Sequence, residues 1–155
     1  MKRKDREITD FNKMLDIMEA CDCCRIGLVD KSEAYIVPLN FGYEYSDNNI
    51  TLYFHCAKEG RKINLISQQN TITFEMDTKH SLVESEISCK FSFLYQCIMG
   101  KGNIEIIKDT NEKIHGLNKI MKHYSHNENW NFSSENVNRI HVLKLSVSEW
   151  SCKEH

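Results

Sequence analysis

Three cations crowd the stretch "KEGRK", where Lys58, Arg61 and Lys62 surround Glu59 and Gly60. The residues before it alternate as in a half-buried strand, with Leu52, Phe54 and Cys56 on one side and Tyr53 and His55 on the other; those after it recur at helical spacing through Ile63 and Ile66. The cations therefore stand where a strand hands over to a helix. A helix start carries unpaired N–H groups and a partial positive charge, which disfavours a cation there by about 0.3 to 1 kcal/mol. Two readings are open. Either the cations hold a ligand with more than one negative charge, such as a phosphate monoester, through charge-assisted hydrogen bonds of about 1.5 to 3 kcal/mol each, or they are ordinary exposed side chains partly offset by Glu59.

The neighbouring residues favour the ligand. Pro38, Leu39, Asn40, Phe41 and Tyr43 on one predicted strand, and His55 on another, offer apolar and aromatic surface with a few polar groups, as a flat heteroaromatic ring would need. A phosphate plus a flat ring describes a nucleotide-like cofactor. Neither G-x-G-x-x-G after a strand nor G-x-x-x-x-G-K-[ST] occurs, so the two commonest phosphate loops are excluded. His55 is the candidate catalytic residue, able to orient a substrate or move a proton; the alternative is a histidine on the wet face of a strand.

The elements that must position these groups fit one domain spanning residues 1–155, with 41% hydrophobic and 27% charged residues. The formal net charge of −2 gives no broad positive field, so no nucleic-acid partner is expected. No apolar run reaches the roughly 18 residues of a membrane helix, and the basic start "MKRKDR" reads as a solvated tail rather than a signal peptide, so the expectation is a cytoplasmic protein without a membrane partner. The seven cysteines then read as thiols. "CDCC" (Cys21, Cys23, Cys24) lacks a matching Cys-x-x-Cys pair, so no metal is expected, and Cys56, Cys89, Cys97 and Cys152 lie singly in apparent strands.

Thr9 or Asp10 can cap a helix with Phe11, Met14, Leu15 and Met18 on its inner face. "CRIGLVD", "AYIVPLNFGY" and "ITLYFHC" read as a meander in which Pro38 marks an edge or a bulge. A short helix over residues 61–68 follows, then the strand "TITFEMD" and the long "CKFSFLYQCIMGKGNIEIIKD", bent at Gly100 and Gly102. Asp109 and Glu112 form a capping box for a helix with Ile114, Leu117, Met121 and Tyr124 inward; "HNENWNFSSEN" is a loop and "VNRIHVLKLSVSEW" the last strand. The fold class is mainly β, an antiparallel barrel of six strands with helical additions, or an open sheet covered on one face.

Taken together, "KRKDREITD", "CRIGLVD", "YIVPLNFGYE", "LYFHCAKEGRKINLI", "FEMD", "IMGKGNIEII" and "LNKIMKHY" make the chain resemble the pyridoxamine 5′-phosphate oxidase-like FMN-binding split-barrel superfamily, in particular the branch with the nitroimidazole-resistance (Nim-type) proteins. The resemblance implies a six-stranded split barrel and a homodimer with FMN in clefts at the subunit interface. It places Lys58, Arg61 and Lys62 at the FMN phosphate, with Cys56 and Ala57 offering backbone groups. Val37, Pro38, Leu39 and Asn40 would lie along the flavin ring, His55 would point into the cleft, and residues 95–99, including Gln96 and Cys97, would help close it. Relatives often carry Ser at position 56 and Arg-Ser at positions 96 and 97, so the contacts there differ. The implied function is an FMN-dependent oxidoreductase, with nitroaromatic or quinone-like small molecules as substrates. The alternatives are a non-catalytic flavin protein that stores FMN or senses redox state, and a true pyridoxamine 5′-phosphate oxidase, which is associated with a longer, basic C-terminal segment than "EWSCKEH".

Overall fold

A computed structural model describes residues 3–127 and 129–155. Met1 and Lys2 of the basic start and Glu128 of the polar loop lie outside them. Of the two candidate caps, Asp10 takes the role: its carboxylate accepts the Lys13 N–H at 2.8 Å and opens α1 (Phe11–Ala20), which buries Met14, Leu15, Ile17 and Met18. Ahead of it, directly after the basic start, β1 (Glu7–Ile8) pairs with the last strand.

Two hairpins carry the site. β2 (Cys24–Asp30) pairs with β3 (Glu33–Leu39), and β4 (Phe41–Ser46) pairs with β5 (Asn49–Ala57). The stretch expected as one strand of a meander is thus two strands meeting at Asn40. After α2 (Arg61–Ile66) come β6 (Thr71–Val83), β7 (Ser92–Ile106), α3 (Thr110–Ser125), α4 (Ser134–Val137) and β8 (Ile140–Glu154). All ladders are antiparallel, in the order β3-β2-β6-β7-β8-β5-β4 with β1 beside β8.

The class is the expected one, mainly antiparallel β with helical additions, but with eight strands instead of six. The extra two are β1 and the second half of the strand divided at Asn40. β3 and β4 end the sheet path without pairing to each other; Asn40 alone joins them, so the barrel stays split in its hydrogen bonding. Pro38 lies on the edge strand β3, where its missing N–H costs no ladder bond. Three residues on, at the joint with β4, the Phe41 amide donates to Tyr124 Oη at 3.1 Å.

The main core lies inside the sheet beneath α1 and α2, around Phe41, Phe54, Phe74, Met76 and Leu145. A second cluster, Tyr53, Ile107, Leu117, Ile120, Val137 and Val142, lies under α3 and α4, so Tyr53 is buried on the face of β5 expected to be wet. α3 presents Lys113, Gly116, Leu117, Ile120 and His123 inward, rotated from the expected Ile114, Met121 and Tyr124. Glycines cause the rotation. A Cβ on Gly116 would stand 2.8 Å from Tyr53 Cδ1, and one on Gly42 would stand 2.2 Å from the Lys119 backbone, so only these glycines let α3 approach β4 and β5 this closely. Asp109 accepts the Glu112 N–H at 2.9 Å, whereas the Glu112 carboxylate leaves the expected capping box for Lys144 at 2.7 Å. Among the described residues no helix is long and apolar enough to cross a membrane.

Candidate functional site

The strand-to-helix handover occurs as the alternation predicts. β5 ends at Ala57 and α2 begins after Gly60, whose φ of 129° disfavours any side chain. No side chain caps α2, and a Cβ on Gly60 would meet nothing within 4 Å, so the junction is open on that side. Ile63, Leu65 and Ile66 are buried and fix α2 against the core.

The three cations are not equivalent. Arg61 donates from Nε to Asp30 Oδ2 at 2.6 Å, and its terminal Nη2 reaches the same oxygen at 2.6 Å. Its guanidinium also stacks on Tyr35, 4.4 Å from the ring centre, which holds it against the end of the β2–β3 hairpin. Neither Asp30 nor Tyr35 stood out in the sequence, because the contact crosses 31 residues of chain. Lys58 and Lys62 form no ion pair among the described residues.

His55 is exposed on β5. Crowding of its ring by protein, and secondarily the Lys62 charge, hold its pKa below the ordinary 6.5, so it is neutral at pH 7. Cys56 points the other way into the core, where burial raises its thiol pKa against the opposing effect of Lys62. Only its backbone faces the junction, as for exposed Ala57.

Along β3, Val37 and Leu39 pack on the core while Ile36 and Pro38 face outward, Ile36 being 64% exposed. Asn40 is exposed at the joint between β3 and β4. The register continues the outer face from Pro38 through Arg25 and Glu75 to Met99, with Arg25 bound to Glu75 at 3.1 Å and Asp77 at 2.6 Å. These carboxylates raise the Arg25 pKa, Asp77 most strongly.

Gln96 and Cys97 lie on β7, three ladders from β3, and point to opposite faces. Gln96 Nε2 donates to Glu154 at 3.0 Å on the face shared with Thr78, whose hydroxyl donates to Ala20 of α1; the structure thus keeps the Gln96 side chain apart from the cations. Cys97 sits on the outer face with its sulfur 4.0 Å from Glu75, and burial together with that carboxylate raises its pKa. It lines a hollow of about 290 Å³ with Glu75, Asp77, His80, Phe93, Tyr95 and Lys153. Fold and site therefore place Lys58, Arg61, Lys62 and His55 around the β5–α2 junction, with Arg61 reaching the β2–β3 hairpin, and leave position 97 at a separate hollow on the outer face of β6 and β7.

Residues 11–154 match the family described as pyridoxamine 5′-phosphate oxidase. The chain belongs to this family. A solved relative, a candidate 5-nitroimidazole antibiotic resistance protein from Bacteroides thetaiotaomicron, is 32% identical over 96% of this chain and 86% of its own, with a TM-score of 0.83, which places the chain in the nitroimidazole-resistance-related branch of the family. Two further structures share the fold. One is a flavocytochrome from Azotobacter vinelandii, 18% identical over 100% of this chain and 72% of its own, TM-score 0.79. The other, an FAD- and heme-binding protein from Mycobacterium smegmatis, is 17% identical over 96% of this chain and 72% of its own, TM-score 0.80. No curated protein sequence matches the chain.

Proposed function

We propose that this chain is a cytoplasmic FMN-dependent oxidoreductase that reduces nitroaromatic or quinone-like small molecules, working as a homodimer with FMN in clefts at the subunit interface. The observation that carries the reading is the open, uncapped junction at Gly60, where Lys58 and Lys62 have no acidic partner among the described residues and Arg61 is held ready at the end of the β2–β3 hairpin by Asp30 and Tyr35. These residues fit a terminal phosphate dianion next to a flat ring. A bridging pyrophosphate would lack that charge density, which favours FMN over FAD. Family membership and the flavin-binding names of structural relatives support a flavin, and the name of the 32% identical relative supports nitroaromatic substrates.

In this reading the cations bind the phosphate, and the stretch from Val37 to Asn40 at the end of β3 lies along the ring. His55, neutral at pH 7, orients the substrate or moves a proton at its ring nitrogen. The flavin, when bound, supplies the redox chemistry. The visible spectrum of the purified protein tests the first step: a flavin band near 450 nm, at about the wavelength this cofactor class shows, is expected, with FMN identified by mass spectrometry. Released FAD would contradict the phosphate argument. Steady-state turnover of the flavin-loaded protein with nitroaromatic and quinone acceptors then separates an enzyme from a flavin carrier.

A further inference from the structure

Leu39 ends β3 opposite Cys24, the first residue of β2. Asp30 and Glu33 close the two-residue turn of this hairpin as a hydrogen-bonded pair, so bonded and non-bonded pairs alternate from there and Cys24 with Leu39 is again a bonded one. One step further the same register would set Cys23 opposite Asn40, and one more would set Asp22 opposite Phe41 in the next bonded pair, with the Phe41 N–H aimed at the Asp22 carbonyl. In place of that bond stands the Tyr124 hydroxyl. It accepts from the Phe41 N–H at 3.1 Å and donates to the Asp22 carbonyl at 2.8 Å, so both ends of the missing ladder bond are satisfied through one side chain.

The preceding residue on the last turn of α3 fixes the same stretch. His123 Nε2 donates to the Cys21 carbonyl at 2.7 Å, and its ring centre lies 4.4 Å from that of Phe41. Packing around the Tyr124 hydroxyl raises its pKa against hydrogen bonds from Asn40 and the Phe41 amide, so it keeps its proton at neutral pH. The ladder therefore stops at Leu39, and Asn40 is left exposed where the sheet is split. Sequence reading misses this role of Tyr124 because its two partners lie 83 and 102 residues earlier in the chain.

We infer that Tyr124 is a positioning residue for the flavin: by standing in for a ladder bond, its hydroxyl holds Asn40 out of the sheet with the carboxamide free to meet the polar edge of the ring. The inference rests on the proposed flavin reading, in which Val37 to Asn40 lie along that ring. Without the hydroxyl, the Phe41 N–H can close directly on the Asp22 carbonyl, which draws Asn40 into the ladder and away from the ligand. The cations at the β5–α2 junction take no part in this change, so ring and phosphate contacts respond separately.

The test titrates FMN and riboflavin, by quenching of flavin fluorescence, into the wild-type chain and into Tyr124→Phe, which keeps the aromatic ring. Both affinities are expected to fall about tenfold, and by the same factor, because the lost contact is to the flavin ring. The visible band of the flavin that still binds should shift. Asp109→Ala is the control: it weakens α3 at its other end and should change neither affinity nor band. Asn40→Ala reads the same contact from the ring side, should Tyr124→Phe fail to fold, and is expected to lower both affinities; where both fold, the double variant should lose no more than Tyr124→Phe alone. Unchanged affinities in Tyr124→Phe or in Asn40→Ala, a loss for FMN without one for riboflavin, or an equal loss in Asp109→Ala overturns the inference. A wild type that takes up no flavin ends the flavin reading and this role with it, whereas a wild type that binds FMN no more tightly than Tyr124→Phe ends the role alone.

Discussion

Arg61 is oriented before any ligand arrives. The Asp30 carboxylate and the Tyr35 ring fix its guanidinium, so less conformational entropy is lost when its remaining N–H groups donate to a phosphate. Arg61→Ala should therefore weaken FMN by about ten- to a hundredfold, the worth of one charged hydrogen bond, and leave riboflavin nearly unchanged in fluorescence titrations. Lys58→Ala or Lys62→Ala alone should cost less, because point charges on long stems can cover for one another. His55→Ala should retain flavin content and lower turnover; unchanged turnover with several acceptors would return His55 to a surface role. His55 and His141 share one further consequence. Both have pKa values below 6.5 in the folded protein, so the unfolded chain binds more protons as pH falls through that value. Stability of the flavin-free protein should thus decline as pH drops from about 7 toward 5, as measured by urea unfolding at a series of pH values. A flat profile would show that neither ring is as crowded as the structure has it.

At the scale of elements, helix starts follow from neighbouring residues, whereas helix faces and side-chain partners depend on residues far away in the chain. Asp10 and Asp109 each accept an N–H three residues on, a contact set entirely by neighbouring residues, and both helix starts were visible in the sequence. Asp109→Ala should cost about 1 kcal/mol of unfolding free energy. The inner face of α3 differs from the expected one because Ile114, Leu117, Met121 and Tyr124 also have helical spacing. The decision between the two faces was made by Gly42 and Gly116, which admit the helix backbone against β4 and β5. Gly42→Ala would place a methyl group 2.2 Å from the Lys119 carbonyl carbon, with backbone rather than a flexible side chain in the way. It should destabilise the protein by about 1 to 3 kcal/mol, seen as a lower urea midpoint. A midpoint equal to wild type would mean that α3 can move away freely.

At the scale of the molecule, the β6–β7 hairpin extends beyond the sheet and exposes Leu82, Val83, Ile87, Phe91, Phe93 and Leu94. Leu82 pairs with Phe93 across the ladder, so the apolar surface is continuous along the hairpin, as an interface would require. If this surface is part of the proposed dimer, Phe93→Glu should shift light scattering toward monomer and lower FMN retention together; a dimer of unchanged stability would move the interface elsewhere. Periods of 2 and 3.6 residues and the cap residues lie within a few positions of each other, and from them the sequence by itself determined the antiparallel β class, the strand-to-helix handover at Gly60 and the cluster of Lys58, Arg61 and Lys62. Which strands become neighbours depends on ladders and packing between residues far apart in the chain. Tertiary structure alone therefore decided the split at Asn40, the pairing of Arg61 with Asp30 and Tyr35, and the opposite facing of Gln96 and Cys97.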